Sequence, residues 1–426
     1  MKNIYNFTVL LILISTILLN GQTTEQISVG PSYSQQSYYD LESGSSEYLE
    51  NTDWELAFAL TSPTEAGIHI NESIKISFTQ ELPKLLLFKL PIDDFNATVE
   101  VSTLTDTISN NEVSWAEGAL NSVKDDNDPF DYGWGKYNST NHAIEGTSIY
   151  VVQLRNKQYK KFMIESLSQG VYTLKSADLD GANEKVESID KADHDGSHLI
   201  LYSFDNGVLD FSTKWDLFFG RYETMLSTGD GNFIPYTVSG IISAPGIQVA
   251  QAEGVDYTTV NYDDYSGELT DSMRAIGHDF KYYDFSEGWV IRENLTYFVK
   301  NNNGKVWKLR FLDFEGSSTG TLTVERTDLG LVSTNELNVF TTKMKVYPNP
   351  ISSNQMMSLV FESEQKPKNA NVSLINMSGQ VIFYQQININ KGLNALEFKV
   401  DNLPAGSYIV KVASENGILS NTVQIH

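Results

Sequence analysis

The chain contains no cysteine in its 426 residues. Disulfides, cysteine-ligated zinc, a thiol nucleophile and the lipidated cysteine of a bacterial lipoprotein are therefore excluded. Without such staples the fold must rest on buried apolar cores, and this length suggests about two to four domains able to form them. Positive charge is scarce: 30 Lys and Arg stand against 54 Asp and Glu, giving a net charge of −24. That balance argues against nucleic-acid binding, which needs stripes of Lys and Arg against phosphates. It suits solubility and repulsion from an anionic cell surface. Helical periodicity is nearly absent, and beyond the N-terminal segment no stretch is apolar enough to span a bilayer. Enzymatic signatures are missing as well: there is no G-x-S-x-G elbow, no H-E-x-x-H and no phosphate-cradling glycine loop. Carboxylates are too numerous for sequence to single out a glycosidase pair. The expectation is a protein that is not an enzyme.

What is present begins at the N-terminus. Met1-Lys2-Asn3 precedes an apolar run from Val9 to Ile14 that continues through Ile17-Leu18-Leu19 to Asn20-Gly21-Gln22. A basic residue, a short apolar run and a small residue before polar sequence make a secretory signal peptide, residues 1–21. The run falls short of the roughly 20 apolar residues of a spanning helix.

The rest reads as strands. Alternating, β-branched and aromatic runs such as Ser148–Leu154 and Val306–Leu312 are separated by Asn206-Gly207, Asp230-Gly231 and Asn303-Gly304. Such dipeptides close antiparallel hairpins, so the expected fold class is all-β. A weak duplication runs through these strands. Thr52-Asp53-Trp54-Glu55-Leu56-Ala57-Phe58 recurs as Thr213-Lys214-Trp215-Asp216-Leu217-Phe218-Phe219. Gly146–Val152 with Lys160–Ile164 recurs as Leu295–Lys300 with Lys308–Leu312, and Gly170–Leu174 recurs as Gly320–Val324. We expect two related β domains, residues 25–187 and 198–330, then a polar linker at 331–344. Residues 345–426 carry short strands with glycine turns, the pattern of a small immunoglobulin-like β-sandwich.

Two resemblances follow from particular residues. The opening Val346-Tyr347-Pro348-Asn349-Pro350, the segment Ile375–Gln380 with Gly379, and Leu403–Val412 with Gly406 and Tyr408 resemble the type A C-terminal sorting domain of the type IX secretion system of Bacteroidetes. The resemblance implies the type IX secretion machinery as partner, export through the periplasm and across the outer membrane, cleavage of this domain, and a secreted or surface location. The middle of the chain is similar to HmuY-like domains. Lys214–Phe219, Tyr297–Lys300, Gly304–Phe314 and Gly320 carry that likeness, and the first copy matches less closely. It implies a β-rich fold and haem as a possible cofactor.

Haem iron takes an imidazole nitrogen or thioether sulfur on one or both faces. His278, among the aromatics before Tyr282 and Tyr283, is the leading candidate, with Met273 five residues earlier. Met225 and His142 are further candidates. His194 and His198, flanked by Asp193 and Asp195, have metal-sharing spacing only on a helix and read as a solvated linker. The clusters at Asp125–Asp128, Asp178–Gly181 and Asp263-Asp264 offer oxygen ligands for calcium, but none forms a full EF-hand loop, and they read as loop chemistry. The expected function is a non-catalytic secreted or cell-surface binding protein with haem as ligand. The alternative is a structural or adhesive surface protein that binds glycan or protein through an exposed aromatic patch.

Overall fold

The computed structural model describes residues 21–60, 66–73, 84–111, 114–211, 214–331, 344–352, 355–363, 366, 370–377, 379–399, 403–414 and 417–426. All but the last residue of the expected signal peptide, and most of the expected linker, lie outside these residues. The fold is all-β, as the turn pattern predicts; among the described residues there are short 3-10 turns and no α-helix. The hairpin turns close where glycine permits it. Gly231 joins Leu217–Ser227 to Phe233–Ser243, and Gly304 joins Leu295–Lys300 to Lys305–Phe314. Their φ angles of 91° and 78° lie in the left-handed region that other residues enter at a cost.

The duplication is visible as two matching meanders. Tyr150–Gln153, Tyr159–Ser168 and Val171–Ala177 pair in order, as do Leu295–Lys300, Lys305–Phe314 and Thr321–Leu331. Each is flanked on its first strand by an equivalent partner, Leu86–Lys89 in one and Gln248–Glu253 in the other. Each is flanked on its last strand by another, Lys185–Asp190 and Gln22–Ser28 respectively.

That last correspondence crosses the division expected between residues 187 and 198. Gln22–Ser28, at the start of the first copy, completes the sheet of the second. Gln35–Asp40 likewise pairs with Leu217–Ser227, while Leu199–Ser203 pairs back onto Leu56–Ala59. The compact units are therefore residues 54–208 (unit one) and residues 22–50 with 215–331 (unit two). Unit one is nested inside unit two. The same bonds recur in both. Glu55 N–H donates to the Tyr202 carbonyl at 2.8 Å, and Asp216 N–H donates to that of Tyr39 at 2.9 Å. The carboxylates of these residues then accept from Phe204 N–H at 3.0 Å and Leu41 N–H at 2.8 Å. Tyr202 donates its hydroxyl to Glu187, and Tyr39 donates to Glu25.

The four-stranded sheet that contains Leu56–Ala59 and Leu199–Ser203 lies between two cores. Strand side chains alternate between faces. Leu56, Phe58, Ile200 and Tyr202 therefore enter the core of unit one, and Ala57, Ala59, Leu199 and Leu201 enter that of unit two. A sheet buried on both sides explains why these strands are continuously apolar.

Residues 345–426 form a sandwich of a three-stranded and a four-stranded sheet around Leu359, Phe361, Val372, Leu374, Val410 and Val412.

Candidate binding surface and sorting domain

Of the four candidate haem ligands, Met273 and His278 share the segment that leads into Lys281–Asp284, and His142 and Met225 lie on two other hairpins. His142 is exposed at the tip of a hairpin of unit one, where its Nδ1 meets the Tyr137 hydroxyl at 2.8 Å. Met225 is half exposed on Leu217–Ser227, opposite Pro235. Met273 is buried in the core of unit two. His278 is half-buried, just after Gly277, whose carbonyl accepts from Ile241 N–H at 2.8 Å. Only Met273 reaches either of the two concavities described next. His194 ends a 3-10 turn, whereas His198 packs edge-on against Trp215 at 5.5 Å, and burial depresses its pKa. Among the described residues no group of three or more His, Asp or Glu is placed to hold a metal. The acidic loops are turn-formers: Asp125 accepts from Asn127 N–H at 2.9 Å, and Asp128 pairs with Lys136 at 2.6 Å.

The first concavity lies between the units and is small, about 50 Å³. A water molecule occupies about 30 Å³ in the liquid, so this is space for solvent and not for a macrocycle. Its walls are a polar network. The Gln36 amide donates to Asn71 at 2.9 Å and Ser73 at 2.8 Å, and its carbonyl accepts from Trp54 Nε1 at 2.8 Å. Glu72 accepts from Asn110 N–H at 2.9 Å and Glu223 N–H at 3.1 Å, with Arg274 at 3.8 Å, and burial pushes its pKa up. His69 bonds the Trp115 carbonyl through Nε2 at 2.9 Å, and burial pushes its pKa down to about 4. Sequence reading missed His69, because Ile68-His69-Ile70 looks like any strand with one polar position.

The second concavity is an open groove of about 560 Å³ in unit two, between Gly288–Ile291 and Lys305–Phe314. Trp289, Arg292, Asn294, Arg310 and Asp313 line it. Trp289 is held edge-on by Phe314 at 5.1 Å and Tyr283 at 5.5 Å, with the Lys281 ammonium over its ring at 5.3 Å. The indole also rests on Gly316, where an added Cβ would stand 2.5 Å from Nε1. Lys281 Nζ donates to the Ser239 carbonyl at 2.6 Å, and its burial lowers its pKa to about 7.

Trp289 belongs to a two-stranded hairpin, Lys281–Asp284 with Gly288–Ile291. Beyond the groove this hairpin presents Tyr282, Tyr283 and Phe285 to solvent, the last 98% exposed. The end of the Leu217–Ser227/Phe233–Ser243 hairpin also exposes Met225, Phe233, Ile234 and Tyr236. The tract Tyr282-Tyr283-Asp284-Phe285 was the available signal in the sequence.

In the last domain each motif residue has a structural task. Val346 and Tyr347 form the first strand, opposite Leu359 and Ser358. After Pro348, Asn349 staples this entry to the final strand: its amide donates to the Thr422 carbonyl at 2.9 Å, and its carbonyl accepts from Gln424 N–H at 2.9 Å. Pro350 follows, and Ile351 is fully buried. Gly379 supplies a φ of 84° in the turn after Asn376, and Gly406 opens the strand on which Tyr408 donates its hydroxyl to the Pro404 carbonyl at 2.9 Å.

No curated protein matches the chain. Residues 345–426 match the family described as the secretion system C-terminal sorting domain, and the protein thus carries the domain that directs export by the type IX secretion system to the cell surface or the medium.

Proposed function

We propose that the protein is a non-catalytic adhesive binding protein, whose body engages its partner through the exposed aromatic residues of the Lys281–Ile291 hairpin of unit two. The signal peptide takes it into the periplasm and the sorting domain takes it out. The observation that carries this reading is the solvent exposure of Tyr282, Tyr283 and Phe285 on one hairpin. Apolar side chains exposed together on a soluble protein mark interaction sites, and aromatic anchors supply much of the affinity at such surfaces. Haem capture lacks a comparable observation, since its candidate ligands are dispersed.

The test is saturable binding of the purified protein to immobilised extracellular proteins and glycans, with Tyr282→Ser, Tyr283→Ser and Phe285→Ser combined. We expect the triple variant to keep its Tm and to bind roughly tenfold or more weakly. Equal binding by the two proteins would remove the hairpin from the function.

A further inference from the structure

We infer that the groove beside Trp289 is a binding site for a neutral oligosaccharide. This rests on the reading of the body as a binding protein and assigns a ligand class to it. Small-ligand sites occupy about 300–1,000 Å³, and a groove of about 560 Å³ has room for a short sugar chain. Its composition points the same way. A sugar ring combines an apolar C–H face with hydroxyls that both donate and accept. Trp289 offers the first an aromatic ring, whose negative π face attracts the weakly positive C–H groups. Asn294 and Asp313 offer the second donors and acceptors.

Charge decides against an anionic ligand. Arg292 and Arg310 face Asp256, Glu287, Glu293 and Asp313 in the same lining. Both arginines are already engaged: Glu325 holds Arg310 bidentately at 2.9 and 3.2 Å, and Glu253 holds Arg292 at 2.9 Å. The surplus is acidic in a chain of net charge −24, so sulfated or sialylated glycans and haem propionates would meet repulsion. Trp289 is also preorganised. Phe314, Tyr283, Lys281 and Gly316 fix the indole before any ligand arrives, which reduces the ordering cost of binding.

The experiment is calorimetric titration of the full-length purified protein with short neutral oligosaccharides of glucose, mannose and galactose, and with sialylated and sulfated counterparts. Trp289→Ala and Asp313→Asn are compared with a hairpin variant carrying only Tyr282→Ser and Phe285→Ser, which keeps the Tyr283 contact to Trp289, and folding of each is checked by circular dichroism and Tm. We expect neutral sugars to bind and charged ones not to, with Trp289→Ala weakening binding roughly tenfold or more. Asp313→Asn, at the lip, removes an acceptor without opening the core and should weaken it several-fold. Neutral sugars that fail to bind, or bind indifferently to both groove substitutions, overturn the inference. In that event, loss of partner binding in the hairpin variant alone would leave the adhesive reading standing. Steady release of reducing ends would replace a binding site with a hydrolytic one and also overturn it.

Discussion

His69 is buried in the same cavity as the Arg274 guanidinium at the junction of the two units, and that makes the junction pH-sensitive. Its folded pKa of about 4 lies below the 6.5 of a free imidazole because burial disfavours the cation. The unfolded chain therefore binds a proton that the folded chain refuses. This contribution to stability is complete above pH 6.5 and is lost as pH falls toward 4, by about 3 kcal/mol. Glu72, in the same cavity, acts with the opposite sign, since burial raises its pKa and protonation favours the fold. A His69→Asn variant isolates the histidine. Denaturant titrations at several pH values should show a smaller loss of stability on acidification in the variant, and parallel profiles would contradict the assignment. Haem is tested at the same scale. Haemin titration should give no saturable Soret shift that weakens in His278→Ala, because His278 and Met273 share neither cavity nor groove. A shift lost in that variant would restore the haemophore reading.

At the scale of elements, the strands and turns were legible in the sequence, and their partners were not. Period-two alternation and Asn-Gly turns depend on neighbouring residues, so Val306–Leu312 and Asn303-Gly304 announce themselves. Which copy of an N-terminal segment completes which sheet is non-local, and the repeats alone satisfy either arrangement. Chain connection decides it. Lys185–Asp190 follows Val171–Ala177 through a short loop, so folding back onto it is entropically cheap. Among the described residues Thr321–Leu331 has no such follower, and the equivalent Gln22–Ser28 occupies its edge instead. Fragments test this. Residues 54–208 contain every strand of unit one and should unfold cooperatively. Residues 25–187 lack Leu199–Ser203, keep Gln35–Asp40 without the Leu217–Ser227 strand on its other edge, and should not. Cooperative unfolding of 25–187 with native-like amide protection would show that the copies close on themselves.

Across the whole molecule, the C-terminal domain declared its role and the body did not. The sorting domain was readable because its motif residues perform fixed local tasks, such as the two bonds of Asn349 to the final strand. The groove was not readable, because Trp289, Arg310 and Gly316 come together only when the Lys281–Ile291 hairpin packs against the sheet that contains Lys305–Phe314. The sorting domain has its own core, separate from those of the two units, so damage to it should stay there. Asn349→Ala removes both a donor and an acceptor at the domain's entry, and should lower its stability by about 1–3 kcal/mol. In the producing bacterium, the variant should accumulate inside the outer membrane while the wild-type protein reaches the surface or medium. Fractionation measures that outcome, and thermal unfolding of the same variant should leave the transition of the body in place. If the body transition moved with the substitution, the export domain would be part of the body's fold, and its loss after secretion would destabilise the binding protein it had delivered.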